Sequence, residues 1–245
     1  MEKFAQIAAQ TDSSAAPKSR RLHGHAAHQL GKAIVSGVFL PGEKLPGEIE
    51  GSDALGISRT AYREATRMLT AKGMLVSRPK IGTLVCPRDG WNLLDPDILS
   101  WFFQSDPSED FIRDLFELRM IVEPAAAGLA ALKRTDEQLE EMTQSLNDME
   151  KYTLATEEGR SADRNFHDII LAATNNEVLI SLSSGIGAAV RWTTIYKQRE
   201  TTLPRDPIPD HRRVLDAIAA KDSEGAKSAC ITLLLLAHED TKLSM

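Results

Sequence analysis

The sequence predicts a mainly α-helical protein with an N-terminal winged helix-turn-helix, whose wing is a small β-hairpin, and a C-terminal all-α antiparallel helical bundle. Three observations predict this class. A helix, turn, helix pattern followed by two short β-like runs lies within residues 21–87. Residues 109–242 show helical periodicity without a strand pattern. Charge divides in the same way. Residues 21–87 contain nine lysines and arginines against five acidic residues, whereas residues 88–245 contain 17 lysines and arginines against 28 acidic residues.

Composition excludes several classes of protein. The 245-residue chain is long enough for two domains with cores of their own. Its longest uninterrupted apolar run, Leu233–Ala237, is far shorter than the roughly 20 residues that span a bilayer, and the N-terminus has no signal-peptide pattern. Cys86 and Cys230 are too few for a disulfide framework or a cysteine-based zinc site. We therefore expect a cytoplasmic protein that makes no membrane contact.

Composition and periodicity divide the chain into four segments. Residues 1–20, rich in alanine and serine and without an apolar period, are predicted to be a flexible tail. Residues 21–87 form the predicted winged helix-turn-helix DNA-binding domain, and residues 88–106 a linker helix. Residues 107–245 form the predicted all-helical domain for effector binding and dimerisation.

The helix-turn-helix is predicted from spacing and capping residues. Apolar residues recur at helical spacing over 22–34, which predicts the first helix. A short helix over 49–55 stops at Gly56, and Ser58 is suited to cap a second helix that continues to about residue 72. Two helices joined by so short a turn are typical of this motif.

The second of these helices has one basic face. At about 100° per residue, Arg59, Arg63 and Arg67 project within about 80° of one another, opposite the small and apolar residues. Guanidinium groups can bond guanine or phosphate, and the hydroxyls of Ser58 and Thr60 can bond either base or backbone. We therefore predict that this helix reads the major groove of DNA, the alternative being a solvated basic face.

The wing supplies further candidates. Two short β-like runs, 74–78 and 83–86, flank a turn that contains Lys80 and Gly82. A hairpin beside a reading helix can place a lysine and a glycine backbone near the minor groove or the phosphates. The predicted DNA-binding residues are Ser58, Arg59, Thr60, Arg63, Arg67, Lys80 and Gly82.

From residue 109 onward every segment is predicted to be helical, with short breaks. The predicted helices cover 109–132, 135–155, 158–174, 178–199, 209–221 and 223–242. Side chains from several helices converge on ligands inside such bundles, so a ligand pocket is expected here.

Polar residues on these helices are the candidates for that pocket. Asp163 and His167, four residues apart, lie on one helix face, and His211 begins another helix. On the residues alone, a hydrogen-bonded Asp–His pair is the commoner arrangement, and a divalent-ion site that includes His211 is the alternative. Arg119 lies on a largely apolar helix and either pairs with Glu123 or binds a ligand carboxylate.

Arg191 is a further candidate on the predicted helix 178–199. That helix has many small residues, which allow close packing or space for a ligand. Arg191 projects away from the main apolar stripe of the helix, which leaves its role open. The candidate effector-binding residues are therefore Arg119, Asp163, His167, Arg191 and His211.

Four stretches of the N-terminal domain form a specific set of motifs. They are Leu40-Pro41-Gly42-Glu43-Lys44-Leu45-Pro46, Leu55-Gly56-Ile57-Ser58-Arg59-Thr60-Ala61-Tyr62-Arg63-Glu64-Ala65, Gly73-Met74-Leu75 and Gly82-Thr83-Leu84-Val85. This set resembles the GntR family of bacterial transcription regulators, in its FadR-like branch, whose ligand-binding domain is the FCD domain. The resemblance is strong over about residues 22–87 and moderate from there to about residue 240. The segment 91–101 is similar to the corresponding segment of sugar-acid regulators in this branch.

The resemblance implies a homodimer that binds a short palindromic operator in double-stranded DNA and is released from it by a small carboxylate. The similarity of residues 91–101 to sugar-acid regulators implies a sugar acid such as galactonate as effector, and repression of a sugar-acid catabolic operon. The alternative is the same class of regulator with a fatty acyl or amino-acid ligand. A metal-dependent enzyme is a more remote alternative, because the sequence has no nucleophile motif and no cofactor-binding loop.

The resemblance also bears on a metal cofactor. FCD domains of this branch often bind a divalent metal, such as Zn, Mn or Ni, through an Asp-x-x-x-His pair and two later histidines. Asp163, His167 and His211 match three of these positions, but the fourth corresponds to Leu233. His238, five residues further on, points about 140° away from Leu233 on a helix. A metal bound here would therefore have three protein ligands.

Overall fold

The computed structural model describes residues 19–199 and 205–243, with side chains from residue 24 onward. The tail predicted over residues 1–20 lies outside the described residues, apart from the two positions at which the first helix begins. The described chain is mainly helical with one two-stranded antiparallel sheet, so the predicted fold class is confirmed. It divides into two compact units between Asp106 and Pro107. None of the described helices combines the length and apolar character needed to cross a membrane.

The first unit begins with three helices: α1 (Ser19–Val35), α2 (Glu48–Leu55) and α3 (Arg59–Ala71). Helix α2 ends at Gly56, which has a left-handed conformation with φ of 64°. Ser58 caps α3, because its hydroxyl oxygen accepts a hydrogen bond from the Ala61 N–H at 3.1 Å. Tyr62 of α3 lies so close to Gly51 of α2 that a Cβ there would be 2.3 Å from the ring. These residues set the turn of the helix-turn-helix.

The wing is an antiparallel hairpin of β1 (Leu75–Arg78) and β2 (Gly82–Val85). Lys80 lies at its turn with φ of 63°, and Gly82 has φ of 113°. A Cβ at Gly82 would also lie 2.6 Å from Cε of Lys44. The backbone conformation therefore favours glycine at this position, whereas the flexible Lys44 side chain could move aside for a Cβ.

A short 3-10 helix (Arg88–Gly90) and α4 (Pro96–Gln104) follow the wing. The segment 88–106, predicted as a linker, packs within the first unit. The Trp101 ring lies against Gly31 of α1, and its Nε1–H donates a hydrogen bond to Nδ1 of His28 at 2.9 Å. Helix α4 is thereby attached to the first helix of the DNA-binding domain.

The second unit consists of helices in series: α5 (Glu109–Lys133), α6 (Asp136–Tyr152), α7 (Glu157–Ala172), α8 (Glu177–Ile180), α9 (Ser183–Lys197), α10 (Ile208–Ala219) and α11 (Ser223–Lys242). The prediction of one helix over 178–199 is wrong, because the chain breaks between α8 and α9. The Ser181 hydroxyl donates to the Val178 carbonyl at 2.7 Å. The Leu182 N–H donates to the Leu179 carbonyl at 3.1 Å rather than to that of Val178, so the α-helical pattern is interrupted here.

The core of this unit lies between the inner faces of its helices. Helix α5 packs mainly against α11, and α7 packs against α6 and α9. Fully buried core side chains include Met142, Leu146, Phe166, Ile186, Val214 and Leu234. Buried polar residues of α5, α7, α9 and α10 adjoin this core, and they define the candidate site.

Two glycines of α1 provide a test of the packing in the first unit. A Cβ at Gly31 would lie 2.4 Å from the Trp101 ring, whereas Gly24 has nothing within 4 Å. We expect Gly31→Ala to destabilise the protein by about 1–3 kcal/mol, because the ring must move. Gly24→Ala should stabilise it by about 0.5–1 kcal/mol through helix propensity. Urea unfolding followed by circular dichroism measures both, and equal effects of the two changes would contradict the packing of α4 against α1.

Candidate functional site

Helix α3 presents the predicted reading residues on its exposed face. Arg59, Thr60 and Arg63 are exposed, and Arg67 lies 3.7 Å from Glu64 in an exposed ion pair. The opposite face consists of the buried residues Ala61, Tyr62, Ala65 and Leu69. One side of α3 is therefore packed, and the other carries cationic and hydroxyl groups in solvent.

The remaining DNA-binding candidates lie at the start of α3 and on the wing. The oxygen of Ser58 is engaged as the cap of α3, which leaves its O–H free to turn towards another acceptor. Lys80 is exposed at the turn of the hairpin. Gly82 presents backbone only, in a conformation that a side chain would disturb.

The structure brings Asp163, His167 and His211 together in the second unit. Ligand atoms of the three side chains lie within 4.8 Å of one another, and all three residues are buried. Asp163 and His167 are on consecutive turns of α7, while His211 is in the first turn of α10. The Oδ1 atom of Asp163 is 3.1 Å from Nε2 of His211 and 3.7 Å from Nε2 of His167.

Hydrogen bonds at the other ring nitrogens determine which tautomer each histidine has when it is neutral. Nδ1 of His211 lies 2.9 Å from the Pro207 carbonyl oxygen, which can only accept, so Nδ1 carries the proton. Nδ1 of His167 lies 2.6 Å from Oε2 of Glu123. Burial raises the pKa of Glu123, but Arg119 and His167 outweigh it and lower this pKa to about 2. The ionised carboxylate therefore accepts the Nδ1 proton of His167.

In its neutral form each imidazole presents an Nε2 lone pair on the side of Asp163, and in its protonated form it presents an N–H there. Burial alone would raise the pKa of Asp163, but the adjacent histidines and Lys197 hold it well below its usual range, so the carboxylate is ionised. Within the described part of the chain, the buried Nε2 atom of His211 has no aligned hydrogen-bond partner despite its short distance to Asp163. An acceptor facing an acceptor is repulsive unless a cation or a proton lies between them.

These three residues fit a divalent cation. Two imidazole nitrogens and one carboxylate oxygen form a donor set that suits Zn, Mn or Ni. Glu123 adds a carboxylate oxygen 2.6 Å from Nδ1 of His167, an outer partner of the kind that usually orients a metal-binding imidazole. Such an ion would retain open coordination positions for water or for ligand oxygens.

A small cavity adjoins the cluster. Measured as the space open to the centre of a water molecule, its volume is about 20 Å³, enough for about one water or ion. Its lining residues are Arg119, Leu154, Asp163, His167, Val190, Thr194, Lys197, Arg205, Pro207, His211, Leu233 and Ala237. Leu233 is buried in this wall, whereas His238 stacks on Phe116 with ring centroids 4.6 Å apart.

Arg119 pairs with Glu123 and also lines the cavity. Its Nε–H donates to Oε1 of Glu123 at 2.5 Å, and Nη1 donates to Oγ1 of Thr193 at 3.3 Å. The same buried side chain lines the cavity beside Asp163 and His167. The ion pair with Glu123 therefore holds the guanidinium next to the space that a ligand would enter.

Arg191 lies elsewhere. Its guanidinium pairs with Glu157 at 2.8 Å and lines a surface pocket together with Arg164 and Asp168. The cavity instead receives Val190, Thr194 and Lys197 from α9, which share a face through the spacing of four and three residues. The structure therefore does not bring Arg191 to the other effector candidates.

Four polar residues lie at the site without having been predicted as site residues from the sequence: Glu123, Thr194, Lys197 and Arg205. A carboxylate four residues after Arg119 was visible as its partner, but nothing local indicated its bond to His167. Thr194 Oγ1 lies 3.3 Å from Oδ2 of Asp163. Lys197 is 6% exposed, and burial lowers its pKa to about 8. A buried lysine is seldom indicated by sequence, because the same residue type is common on exposed helix faces.

An exposed basic helix beside a β-hairpin wing, together with a helical bundle that encloses polar donors, defines a DNA-binding regulator with a ligand-binding domain. Comparison with known families agrees with this division. The pattern for bacterial regulatory proteins of the gntR family matches residues 22–85, and that of the FCD domain matches residues 114–235. The chain belongs to the GntR family, and it is a transcription regulator rather than an enzyme.

Individual relatives support this assignment. The galactonate operon transcriptional repressor of Escherichia coli (strain K12) is 33% identical over 207 residues, which cover 84% of this chain and 90% of the relative. A putative L-lactate dehydrogenase operon regulatory protein of the same organism is 31% identical over 241 residues, which cover 91% of this chain and 87% of the relative. Among solved structures, Lar of Listeria monocytogenes has a TM-score of 0.65 at 16% identity, covering 94% of this chain and 99% of that one. At 16% identity, this likeness shows a shared fold and nothing about function.

The buried lysine makes a prediction about stability. The folded-state pKa of Lys197, about 8, lies below its usual value of 10.5, so the unfolded chain binds more protons between these pH values. Wild-type stability should therefore rise across this window. In the presence of chelator, Lys197→Met should be more stable than wild type by about 1–3 kcal/mol at pH 7.

This advantage should shrink as the pH rises from 8 towards 10.5, because the lysine then becomes neutral in both states. Urea unfolding at a series of pH values measures the effect. The matched control is Lys133→Met, at the exposed end of α5, which should change stability little at any pH. A pH-independent difference between Lys197→Met and wild type would contradict the burial of the ammonium group.

Proposed function

We propose that this protein represses a sugar-acid catabolic operon and leaves its operator when a small hydroxycarboxylate binds in the cavity of the helical bundle. The observation that carries this proposal is the cavity itself, in which a three-donor cation site lies beside the buried cations Arg119 and Lys197. We place its action in the bacterial cytoplasm, where operator DNA is found.

The DNA-binding half of the proposal assigns roles to α3 and the wing. Arg59, Arg63 and Arg67, with the hydroxyls of Ser58 and Thr60, contact bases or phosphates in the major groove. On the wing, the ammonium of Lys80 and the backbone of Gly82 approach the adjacent minor groove or its phosphates. Two copies of the chain, as a homodimer, read the halves of a short palindrome.

The effector half follows from charge and coordination chemistry. Asp163, His167 and His211 would hold the divalent ion, and the bound ion would supply coordination positions for the oxygens of an acid. Arg119 and Lys197 add positive charge where the carboxylate enters. Two relatives are named for galactonate and L-lactate operons, and both of these acids carry a hydroxyl beside the carboxylate, a pair of oxygens suited to chelation.

The lining also discriminates between the alternative ligands. An acyl chain needs an apolar pocket, but here charged side chains from three helices and Arg205 line the cavity together with apolar residues. An amino acid resembles a hydroxy acid in having a donor atom beside its carboxylate, and its ammonium would lie near Lys197 and Arg119 when protonated. A hydroxy acid avoids this repulsion, so we favour it.

Release from DNA requires that the effector favour one arrangement of the regulator over another. The coupling free energy between two such sites is typically about 1–3 kcal/mol, which corresponds to a decrease in operator affinity of about 5- to 150-fold. An effector that binds both arrangements equally would leave operator affinity unchanged.

Operator binding is tested by Arg63→Ala. The probe is a duplex selected from a random library by the wild-type protein. We expect the variant to lose about 10- to 100-fold in affinity for this duplex, since one bidentate arginine contact typically contributes about 1–3 kcal/mol. Arg113→Ala, at an exposed arginine of α5, is the control and should bind normally. Wild-type affinity in Arg63→Ala, measured by gel retardation, would remove this residue from the interface.

Metal and effector binding are tested by thermal unfolding of chelator-treated protein. Zn²⁺ or Mn²⁺ should raise the melting temperature, and galactonate should raise it further, because ligands of the folded state stabilise it. Both shifts should be lost in His167→Gln, which removes a nitrogen donor from the cluster. His238→Gln, at the histidine that stacks on Phe116, should retain both. A metal shift that survives in His167→Gln would exclude this ligand set, and the absence of any galactonate shift would exclude the proposed effector class.

A further inference from the structure

We propose that the effector occupies two chambers, and that the outer one binds the polyol tail and so selects long-chain sugar monoacids. The proposal rests on the proposed function, because the inner chamber is the cavity beside Asp163, His167 and His211. The outer chamber is an adjoining pocket lined by Met149, Glu150, Thr153, Leu154, Arg205, Asp206, Pro207 and Ile208.

The sizes of the two chambers divide a ligand into a head and a tail. By the same measure, the inner chamber has a volume of about 20 Å³ and the outer chamber about 370 Å³. The inner chamber accommodates an ion or a few ligand oxygens, whereas the outer one is within the range of pockets that hold small molecules. A six-carbon acid whose carboxylate reaches the cluster must therefore place its tail in the outer chamber.

Three residues separate the chambers, because Leu154, Arg205 and Pro207 line both. The guanidinium of Arg205 is ion-paired with Asp210, and its Nη2 is 3.3 Å from Oδ2 of Asp240. An incoming carboxylate offers the same charge and geometry as these partners. Arg205 can therefore exchange partners by rotating its side chain, and this movement opens the passage without a change in the fold.

The chemistry of the outer chamber suits hydroxyl groups. Glu150 and Asp206 supply carboxylate oxygens, and Thr153 supplies a hydroxyl. Glu150 already accepts from Arg212 at 3.2 Å, and Asp206 accepts from the N–H of Ile208 at 3.0 Å. An ionised carboxylate has about four acceptor positions, so both residues retain capacity for ligand hydroxyls.

The two carboxylates also exclude particular ligands. A diacid of the same length would bring its second carboxylate beside Glu150 and Asp206, where like charges repel. A fatty acid of the same length offers no hydroxyls to Glu150 and Asp206, whereas a polyol does. The outer chamber therefore favours a monoacid that carries hydroxyls along its chain.

A ligand series on the full-length, metal-loaded protein tests this inference. Isothermal titration calorimetry compares glycolate, galactonate, galactarate and hexanoate, which share a carboxylate but differ in length, hydroxyls and charge. We expect galactonate to bind at least about tenfold more tightly than each of the other three, and about tenfold corresponds to ~1.4 kcal/mol. Similar affinities for glycolate and galactonate would overturn the two-chamber proposal.

Two pairs of variants locate the effect in the outer chamber. Ile208→Trp should fill the chamber and remove the advantage of galactonate over glycolate, whereas Ile180→Trp, at an exposed isoleucine of α8, should preserve it. Glu150→Gln should reduce the discrimination against galactarate by about tenfold. Glu140→Gln, on the same helix and exposed outside both chambers, should not.

The outcomes separate this inference from the proposed function. Undiminished galactonate affinity in Ile208→Trp would overturn the outer chamber but leave the hydroxy-acid effector in place. Wild-type protein that binds neither glycolate nor galactonate would overturn both proposals. Thermal unfolding of each variant shows that it is folded, so a loss of binding is attributable to the chamber.

Discussion

The site in the bundle depends on the buried carboxylate of Glu123. One oxygen accepts from Nε of Arg119 at 2.5 Å, and the other lies 2.6 Å from Nδ1 of His167. Burial of an unpaired carboxylate would be costly, but these two partners keep it ionised. Glu123 thereby joins α5 to α7, directs Nε2 of His167 towards Asp163, and holds Arg119 beside the cavity. Without it, Nδ1 of His167 would lose its carboxylate partner and Arg119 would lose its ion pair.

Such a site is not an efficient means of stabilising a fold. Arg119, Glu123, Asp163 and Lys197 are all at most 6% exposed, and the desolvation of buried charges offsets much of their mutual attraction. Well-packed apolar residues in their place would make a bundle of equal or greater stability. The lowered pKa of Lys197 is the sign of this cost, because it shows that the charged form is disfavoured in the folded state. A cation and an anionic ligand that bind here relieve part of that cost.

Sequence reasoning succeeded where one helix determined the geometry and failed where several helices had to be placed together. The packed and exposed faces of α3 follow from the helical period of its residues. The closeness of Asp163 and His167 follows from their spacing of four residues on one helix. Lys197 and Arg205 enter the site because of where the end of α9 and the start of α10 lie in space, which no local pattern specifies. Arg191 was a candidate because of its charge, yet Glu157 of α7 holds it at a surface pocket. The break at Ser181 was missed for a similar reason, since no local pattern indicated that the Leu182 N–H would donate to the Leu179 carbonyl instead of that of Val178.

The separation of charge along the chain limits how an anionic effector can act. Residues 21–87 have an excess of basic groups that attract DNA phosphates, whereas 88–245 contain 28 acidic against 17 basic residues. The second unit alone, residues 107–245, contains 24 acidic against 16 basic residues, so its long-range field repels a carboxylate. Attraction must come from short distances inside the cavity, where the dielectric is low and salt screens weakly. Arg119 and Lys197 supply that attraction, and a divalent ion held by Asp163, His167 and His211 would add to it. Buried cations in an acidic domain thus make recognition depend on the shape and chemistry of the ligand more than on its charge alone.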